Sequence, residues 1–412
     1  MAADVPALGG MSFRAKGPSY IATIAVGHGI KHWYLAAFAV FLPLIEREYG
    51  LTAVGVGVLV TIRQVGGGLP NFFVGYVTDQ LRTHWNLLLP ISLVVTAACY
   101  TLAGLTHSYW PVVLLIAFAS VAASFWHPAA ISMLSTRFPE RRGMAIAFHG
   151  AGSGAGEALG PLGVGFILVV FLADEWRVYV LWSFIPAVAL AVVLYWFLSA
   201  TPPAERPEGH PAAKLLDIFK LLRYPALRNL AYMNFTRSFA HFGLLAFLPL
   251  YLANDLEMDS AGVGFHIALL TFAGVAVGPA FGYISDRIGR RIPIVTALVV
   301  IAVGMNVMGI VGSGIPLAVA LAFTGMFLWS VQDVTNAAAM DAAPPGTEGT
   351  VVGFMFAASF ASGALAPLIM GGVVTLTGSN LSIFFVSGLS VVPAIVYFLF
   401  ATITPERKAV AQ

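Results

Sequence analysis

The stretch Gly282-Tyr-Ile-Ser-Asp286-Arg287-Ile-Gly289-Arg290-Arg291 is a short charged loop bounded by glycine and set between two long apolar runs. A weaker copy, Gly75-Tyr-Val-Thr-Asp79-Gln-Leu-Arg82, stands 207 residues earlier between two similar runs. Other pairs keep nearly the same spacing. Phe41-Leu-Pro43-Leu returns as Phe247-Leu-Pro249-Leu after 206 residues, Gly55-Val-Gly57 as Gly262-Val-Gly264 after 207, and Gly160-Pro161-Leu as Ala366-Pro367-Leu after 206. Each match alone is weak in an apolar chain. Their common offset reads as an internal duplication.

The composition requires a membrane setting. Of 412 residues, 59% are hydrophobic and only 10% charged, against roughly 25% charged in a soluble domain. A chain so depleted cannot cover a water-facing surface, so most of its surface must face lipid. The single cysteine, Cys99, excludes an intramolecular disulfide and any cysteine-based metal cluster, and reads as a packing residue. Apolar runs of spanning length, about 20 residues, fall near 20–44, 53–76, 87–106, 109–135, 144–172 and 177–199, then near 226–253, 261–284, 293–311, 315–340, 350–376 and 381–403. Arg14 and Lys16 precede the first run, which is too long for a leader's apolar core and reads as an uncleaved span. The expected architecture is an all-α membrane protein of twelve transmembrane helices in two pseudo-symmetric six-helix bundles. The first bundle covers 1–200, a linker rich in Pro, Lys, Arg and Glu covers 201–225, and the second bundle covers 226–412.

Charge placement orients the chain. Arg82, Arg137, Arg141, Arg142, Arg223 and the arginines of the 282–291 loop fall on one set of loops, together with the linker and both termini. The opposite loops hold Arg47 and Arg177 among several acids. By the positive-inside rule both termini are cytoplasmic, which requires an even number of spans.

The loop pattern G-x-x-x-D-R-x-G-R-R resembles the signature of the major facilitator superfamily. That resemblance implies two six-helix halves, a central substrate path and a gating role for Gly75, Asp79, Gly282, Asp286, Arg287, Gly289, Arg290 and Arg291. An acid just past a span can sit against the positive end of a neighbouring helix while arginines pair with nearby acids. Such contacts would hold one half against the other on the cytoplasmic face; the alternative is that the arginines only enforce topology. The first copy has Gln80 in place of Arg287 and Thr83-His84 in place of Arg290-Arg291, so its latch is expected to be looser. Three further stretches resemble fosmidomycin-resistance-type exporters: Gly27-His28-Gly29-Ile30-Lys31-His32, Phe125-Trp126-His127-Pro128 and Gly152 through Leu162. They depart at Lys31, where Asn is usual, and at Trp126, an insertion. Gly156-x-x-x-Gly160-Pro161-x-Gly163-Val164-Gly165 partly matches the exporters' fifth-helix motif, with Val164 in place of a glycine.

The candidate site comes from ionisable residues inside the spans, each costing about 2.5–3.5 kcal/mol at mid-bilayer unless it faces a cavity or a partner. They are Lys31, Arg63, Glu157, Arg237 and Asp333. Lys31 and Arg237 are 206 residues apart and are expected to face each other across one cavity; the alternative is an ion pair within each half. His28 and His32 lie one turn apart on span one and share that turn with Lys31, with His127 on span four and His241 on span seven. The substrate-binding set is therefore His28, Lys31, His32, Arg63, His127, Arg237 and His241, with Glu157 or Asp333 carrying the proton unless paired to Arg63 or Arg237. Three basic residues against two acids favour a small anionic or zwitterionic solute, and the exporter-like motifs favour efflux; uptake of an anion with protons is the rival. The expected partners are that solute, protons and the bilayer of a bacterial inner membrane, with a monomeric chain and no nucleic acid. No HExxH or acid-rich set accompanies the histidines, so no metal or cofactor is expected, and no nucleophile motif points to an enzyme. The GxGxG spacing of Gly150–Gly154 has no Walker lysine; such small residues let helices approach closely.

Overall fold

The computed structural model describes residues 17–70, 74, 77, 78, 81, 84–200, 220–344 and 347–402, with backbone alone at 348 and 349. The helices of the first bundle are α1 (Gly17–Tyr49), α2 (Ala53–Gly68), α3 (Trp85–Leu105), α4 (Tyr109–Arg137), α5 (Arg142–Phe171) and α6 (Trp176–Leu198). Those of the second are α7 (Pro225–Leu250), α8 (Ser260–Ile288), α9 (Arg291–Val311), α10 (Ile315–Asp341), α11 (Glu348–Thr377) and α12 (Ser382–Phe400). No strand occurs among the described residues. The odd-numbered helices begin at one end of the bundle, which carries Arg137, Arg142, Arg290 and Arg291 and is called the basic end below; the other is the far end. Gly75, Asp79 and most of the linker lie outside the described residues.

Nine of the described helices are long and apolar enough to cross a membrane. The exceptions are α1, α2 and α7. The described part of α2 has only 16 residues. Helices α1 and α7 fall short because they are polar, carrying Lys31, Glu46, Arg47 and Glu48 in one and Asn229, Asn234, Arg237 and His241 in the other. They can be polar because they lie inside: His28, Lys31, Asn229, Asn234, Arg237 and His241 are all buried.

Two seams join the bundles, α2 against α11 and α5 against α8. Both are built from the repeated motifs. Thr52 caps α2 by accepting from the Gly55 N–H at 3.2 Å, and Asp259 caps α8 by accepting from the Gly262 N–H at 2.8 Å. Two residues on, Gly57 lies so close to the Pro367 carbonyl that a Cβ there would be 2.6 Å away, and Gly264 meets the Pro161 carbonyl in the same way. Gly371 against Ala53 and Gly165 against Ser260 complete the symmetric set. Backbone-to-backbone packing through small residues is how helices associate in lipid, where burial from water gives no drive. At the far end Arg47 also donates to the Ala253 carbonyl at 3.3 Å, and Asn254 donates to Glu46 at 2.9 Å.

Within the first bundle a glycine stripe sets α5 on α1. Gly152 packs on the Ala25 carbonyl, Gly156 on the Gly29 carbonyl and Gly160 on Trp33. The spacing of four keeps these glycines on one face of α5, which explains the Gly-rich run without a nucleotide.

Candidate functional site

Between the bundles lies a cavity of about 780 Å³. It extends toward the basic end, where Ile131 and Ser132 of α4 and Val352 and Gly353 of α11 line it. Its two walls differ. The first bundle contributes Lys31, His32, Arg63, Gln64, His127 and Glu157. The second contributes Phe242, Trp329, Phe356 and Phe360, with Thr271 as a polar exception.

Local sequence places each polar group. Pro128 has no N–H to offer the Ser124 carbonyl, and its ring crowds that carbonyl. Accordingly α4 breaks at Phe125, into Tyr109–Ser124 and Trp126–Arg137. The break buries Trp126 completely and sets His127 on the cavity wall. Trp126 fills the space beside Gly27, where a Cβ would come within 2.6 Å of its ring. The residue that looked like an insertion is thus the wedge between α4 and α1.

Lys31 is 2% exposed, and its Nζ lies 3.3 Å from Nε2 of His127. On the next position, His32 Nδ1 meets Glu157 Oε1 at 2.8 Å. Arg63 donates through Nη2 to the Leu35 carbonyl at 2.8 Å and lies over the Phe38 ring at 4.7 Å. Glu157 therefore pairs with a histidine and not with an arginine.

The structure corrects four expectations. Arg237 and His241 do not line this cavity. Arg237 is held inside its own bundle by the Leu328 carbonyl at 3.1 Å, Ser238 Oγ at 2.8 Å and the Gln332 amide oxygen. Lys31 and Arg237 thus occupy matching backbone positions without sharing a cavity. Second, His28 is sealed behind the wall at 1% exposure, stacked on His149 with ring centroids 3.7 Å apart. Third, Asp333, read as an acid deep in a span, is exposed on α10 beside Gly278 of α8 and does not line this cavity. Fourth, the described contacts of the 282–291 loop stay within the second bundle. Arg290 binds Asp286 at 2.5 Å, Ser285 at 2.7 Å and Asp341 at 2.8 Å. Arg291 donates to the Leu399 carbonyl at 3.0 Å and to that of Ala401, and Arg287 lies over the Tyr283 ring. Among the described residues, the loop ties α8, α9, α10 and the end of α12 together. Gly289 sits at φ +86°, a conformation natural to glycine, whereas a Cβ at Gly282 would meet nothing within 4 Å.

The sequence reading missed the aromatic wall and the part played by His149. Large apolar residues are common in every span, so nothing marks Phe242 or Phe356 in advance. His149 carries a signal only once the Gly152–Gly156 stripe is used to dock α5 on α1.

The family model described as Major Facilitator Superfamily matches residues 24–259 and 230–412. The chain is 22% identical over 370 residues to the fosmidomycin resistance protein of Escherichia coli K12, covering 88% of this chain and 87% of that protein. It is 24% identical over 376 residues to the hexuronate transporter of Bacillus subtilis 168, covering 86% and 87%. Its fold is similar to the crystal structure of a bacterial homologue of the human lysosomal transporter Spinster, in an inward-facing and unoccupied conformation, with TM-score 0.74, 15% identity and coverage of 95% and 96%.

Proposed function

Because the chain belongs to the major facilitator superfamily of membrane transporters, we propose that it is a proton-coupled exporter of a small anionic or zwitterionic solute. The observation that carries this is the first-bundle wall: Lys31 and Arg63 face the cavity beside a His32–Glu157 pair. The basic groups bind the solute's negative group, and the aromatic wall opposite takes its apolar part. Glu157 is the coupling residue. An exporter driven by inward proton flow must bind proton and solute alternately: ionised Glu157, beside Lys31 and Arg63, accepts a donor or positive group of the solute, and a proton on Glu157 expels it, whereas a proton that favoured anion binding would give the uptake reading. Asp333, outside the cavity, is the weaker candidate.

Residues 1–200 and 226–412 move as two units about the linker 201–225. In the proposed orientation the basic end is cytoplasmic and the cavity opens inward, in a bacterial inner membrane and in a monomer. Symmetric seams at the far end support rocking about a midplane site. The 282–291 loop gates by keeping the basic end of the second bundle rigid. Export is supported by the likeness to the fosmidomycin resistance protein. A second reading, uptake of a small carboxylate with protons, is supported by the likeness to the hexuronate transporter, since a hexuronate is a carboxylate.

The test has two steps. A thermal-shift screen of small organic anions finds the ligand, because a ligand that binds the folded state raises its apparent stability. Flux is then measured in vesicles. Accumulation in everted vesicles driven by an acid interior supports export; accumulation in right-side-out vesicles driven by an acid exterior supports uptake. Equal flux with and without either gradient removes proton coupling.

A further inference from the structure

We propose that His28, His127 and His149 form a three-imidazole site for a divalent transition-metal ion of the zinc class, just behind the first-bundle wall of the cavity. One donor nitrogen from each lies within 4.8 Å of the others. The residues come from α1, α4 and α5, so the site exists only in the folded bundle, which is why sequence spacing alone pointed to no metal.

Hydrogen bonding aims the lone pairs. Nδ1 of His28 lies 2.8 Å from the His149 carbonyl, which can only accept. The proton is therefore on Nδ1, and in the neutral ring Nε2 carries a bare lone pair. A backbone carbonyl that fixes the tautomer in this way is the usual outer partner of a metal-binding histidine. Nε2 of His28 and Nε2 of His149 are both buried and have no hydrogen-bond partner. His28 and His149 are 1% and 3% exposed. A buried polar atom without a partner costs about 1–3 kcal/mol, and two such atoms in one cluster call for a common ligand.

Access and chemistry agree with a metal. His127 lines the cavity and gives an ion a route in, while His28 and His149 close the back. Zinc–nitrogen bonds of about 2.0–2.1 Å require the donors to draw in and one ring of the stacked His28–His149 pair to turn out of the stack, because an imidazole lone pair lies in the ring plane. Three protein ligands leave the fourth position open toward the cavity. His32, beside the cluster, has an unpartnered buried Nε2 of its own, with Glu157 on its Nδ1. Lys31 opposes the ion, since its Nζ reaches His127 Nε2. A charged Lys31 so near the cluster disfavours a metal by repulsion, so removing its charge should favour the ion.

The experiment uses full-length, tag-free protein in detergent, stripped with chelator and titrated with Co²⁺. Expected are saturable 1:1 binding with the strong visible bands of four-coordinate cobalt, and loss of those bands on adding Zn²⁺. His149→Ala and His127→Ala should each remove the bands, His266→Ala on α8 should keep them, and Lys31→Met should tighten binding. Because a cluster variant can misfold, a second measurement uses the unmutated protein: Zn²⁺ should protect His127, the member of the cluster that lines the cavity, from acylation by diethylpyrocarbonate, read by mass spectrometry. Absence of saturable binding to unmutated protein overturns the site, and so does protection confined to His84, His107 or other histidines.

Discussion

In the first bundle His28 of α1 donates to the carbonyl of His149 on α5, 121 residues on, at 2.8 Å. In the second, Asn234 of α7 donates to the carbonyl of Met355 on α11, also 121 residues on and also at 2.8 Å. Each residue of the second pair stands 206 after its mate in the first. The duplication has kept the contact and replaced the chemistry. The same offset sets Ser238 against His32, Asp333 against His127 and Gly363 against Glu157. Titratable groups therefore line or back one wall of the cavity, while the matching positions of the other bundle carry amide, thioether, hydroxyl and glycine, and its two charged matches, Arg237 and Asp333, do not line the cavity. Two bundles of one fold can thus divide the work, one reading charge and the other presenting an apolar face.

The largest effect should separate the repeat-related pair itself. Lys31→Ala removes a buried basic group that faces the cavity. A charge-assisted hydrogen bond is worth about 1.5–3 kcal/mol, so anion affinity should fall by up to about a hundredfold. Arg237→Ala removes a group that Gln332, Ser238 and Leu328 hold inside the bundle. It should leave affinity within about twofold and lower stability by about 1–3 kcal/mol through the acceptors left unpaired. Titration calorimetry with the screened anion, beside thermal melts, checks both. Equal loss of affinity in the two variants would erase the division between the bundles.

That pair also shows what could be read in advance. The offset between Lys31 and Arg237 is a property of backbone position, and the backbone obeyed it. Which way a long side chain turns depends on its local partners, and Gln332 and Ser238 offered Arg237 a closed set within its own bundle. The repeats, caps and glycines were legible because they act through the backbone, from Thr52 and Asp259 to Gly57 and Gly264. The aromatic wall was not, because in a chain so rich in apolar residues Phe242 looks like any lipid-facing phenylalanine. The histidine cluster lies between these cases: His28 and His32 announce themselves one turn apart, but His149 joins them only through the close approach of α5 to α1.

The seams offer a symmetric perturbation. Gly57→Leu and Gly264→Leu each force a side chain into the opposing backbone, at Pro367 and Pro161. Overpacking of this kind costs about 1–3 kcal/mol, and here the strain falls on the state in which the far end is closed. Both variants should therefore shift the population toward opening at the far end, and by similar amounts. Cysteine accessibility at Ser379, compared with that of the parent, reads the shift. A response from one seam only would mean that the halves do not hinge symmetrically.

Glu157→Gln probes the half that carries charge. The variant keeps the shape and loses the proton. Solute should still bind and exchange, but accumulation against a gradient should vanish. For one coupled proton this amounts to a loss of about tenfold in accumulation ratio per pH unit, since about 1.4 kcal/mol is tenfold. The matching position, Gly363, holds nothing to titrate. If Glu157→Gln still drives uphill transport, Asp333 or a histidine must carry the proton, and Asp333→Asn becomes the decisive variant.

The smallest effect belongs to the charged loop that first revealed the duplication. Asp286 is more than half exposed and pairs with Arg290 four residues on, and Arg290 also holds Asp341 of α10. Exposed ion pairs contribute about 0–1 kcal/mol, so Asp286→Asn should change stability little. Its effect should fall on rate. Loosening α8 from α9 and α10 softens the basic end of one rigid half, and a softer half rocks less cleanly. Turnover should drop by about two- to fivefold, within that same 1 kcal/mol, with affinity unchanged. Arg290→Lys sharpens the test, because lysine keeps the charge but cannot span Ser285, Asp286 and Asp341 at once. A rate equal to that of the parent in both variants would leave the loop as a topology signal, and the gate would then have to be sought in the contacts that close the basic end.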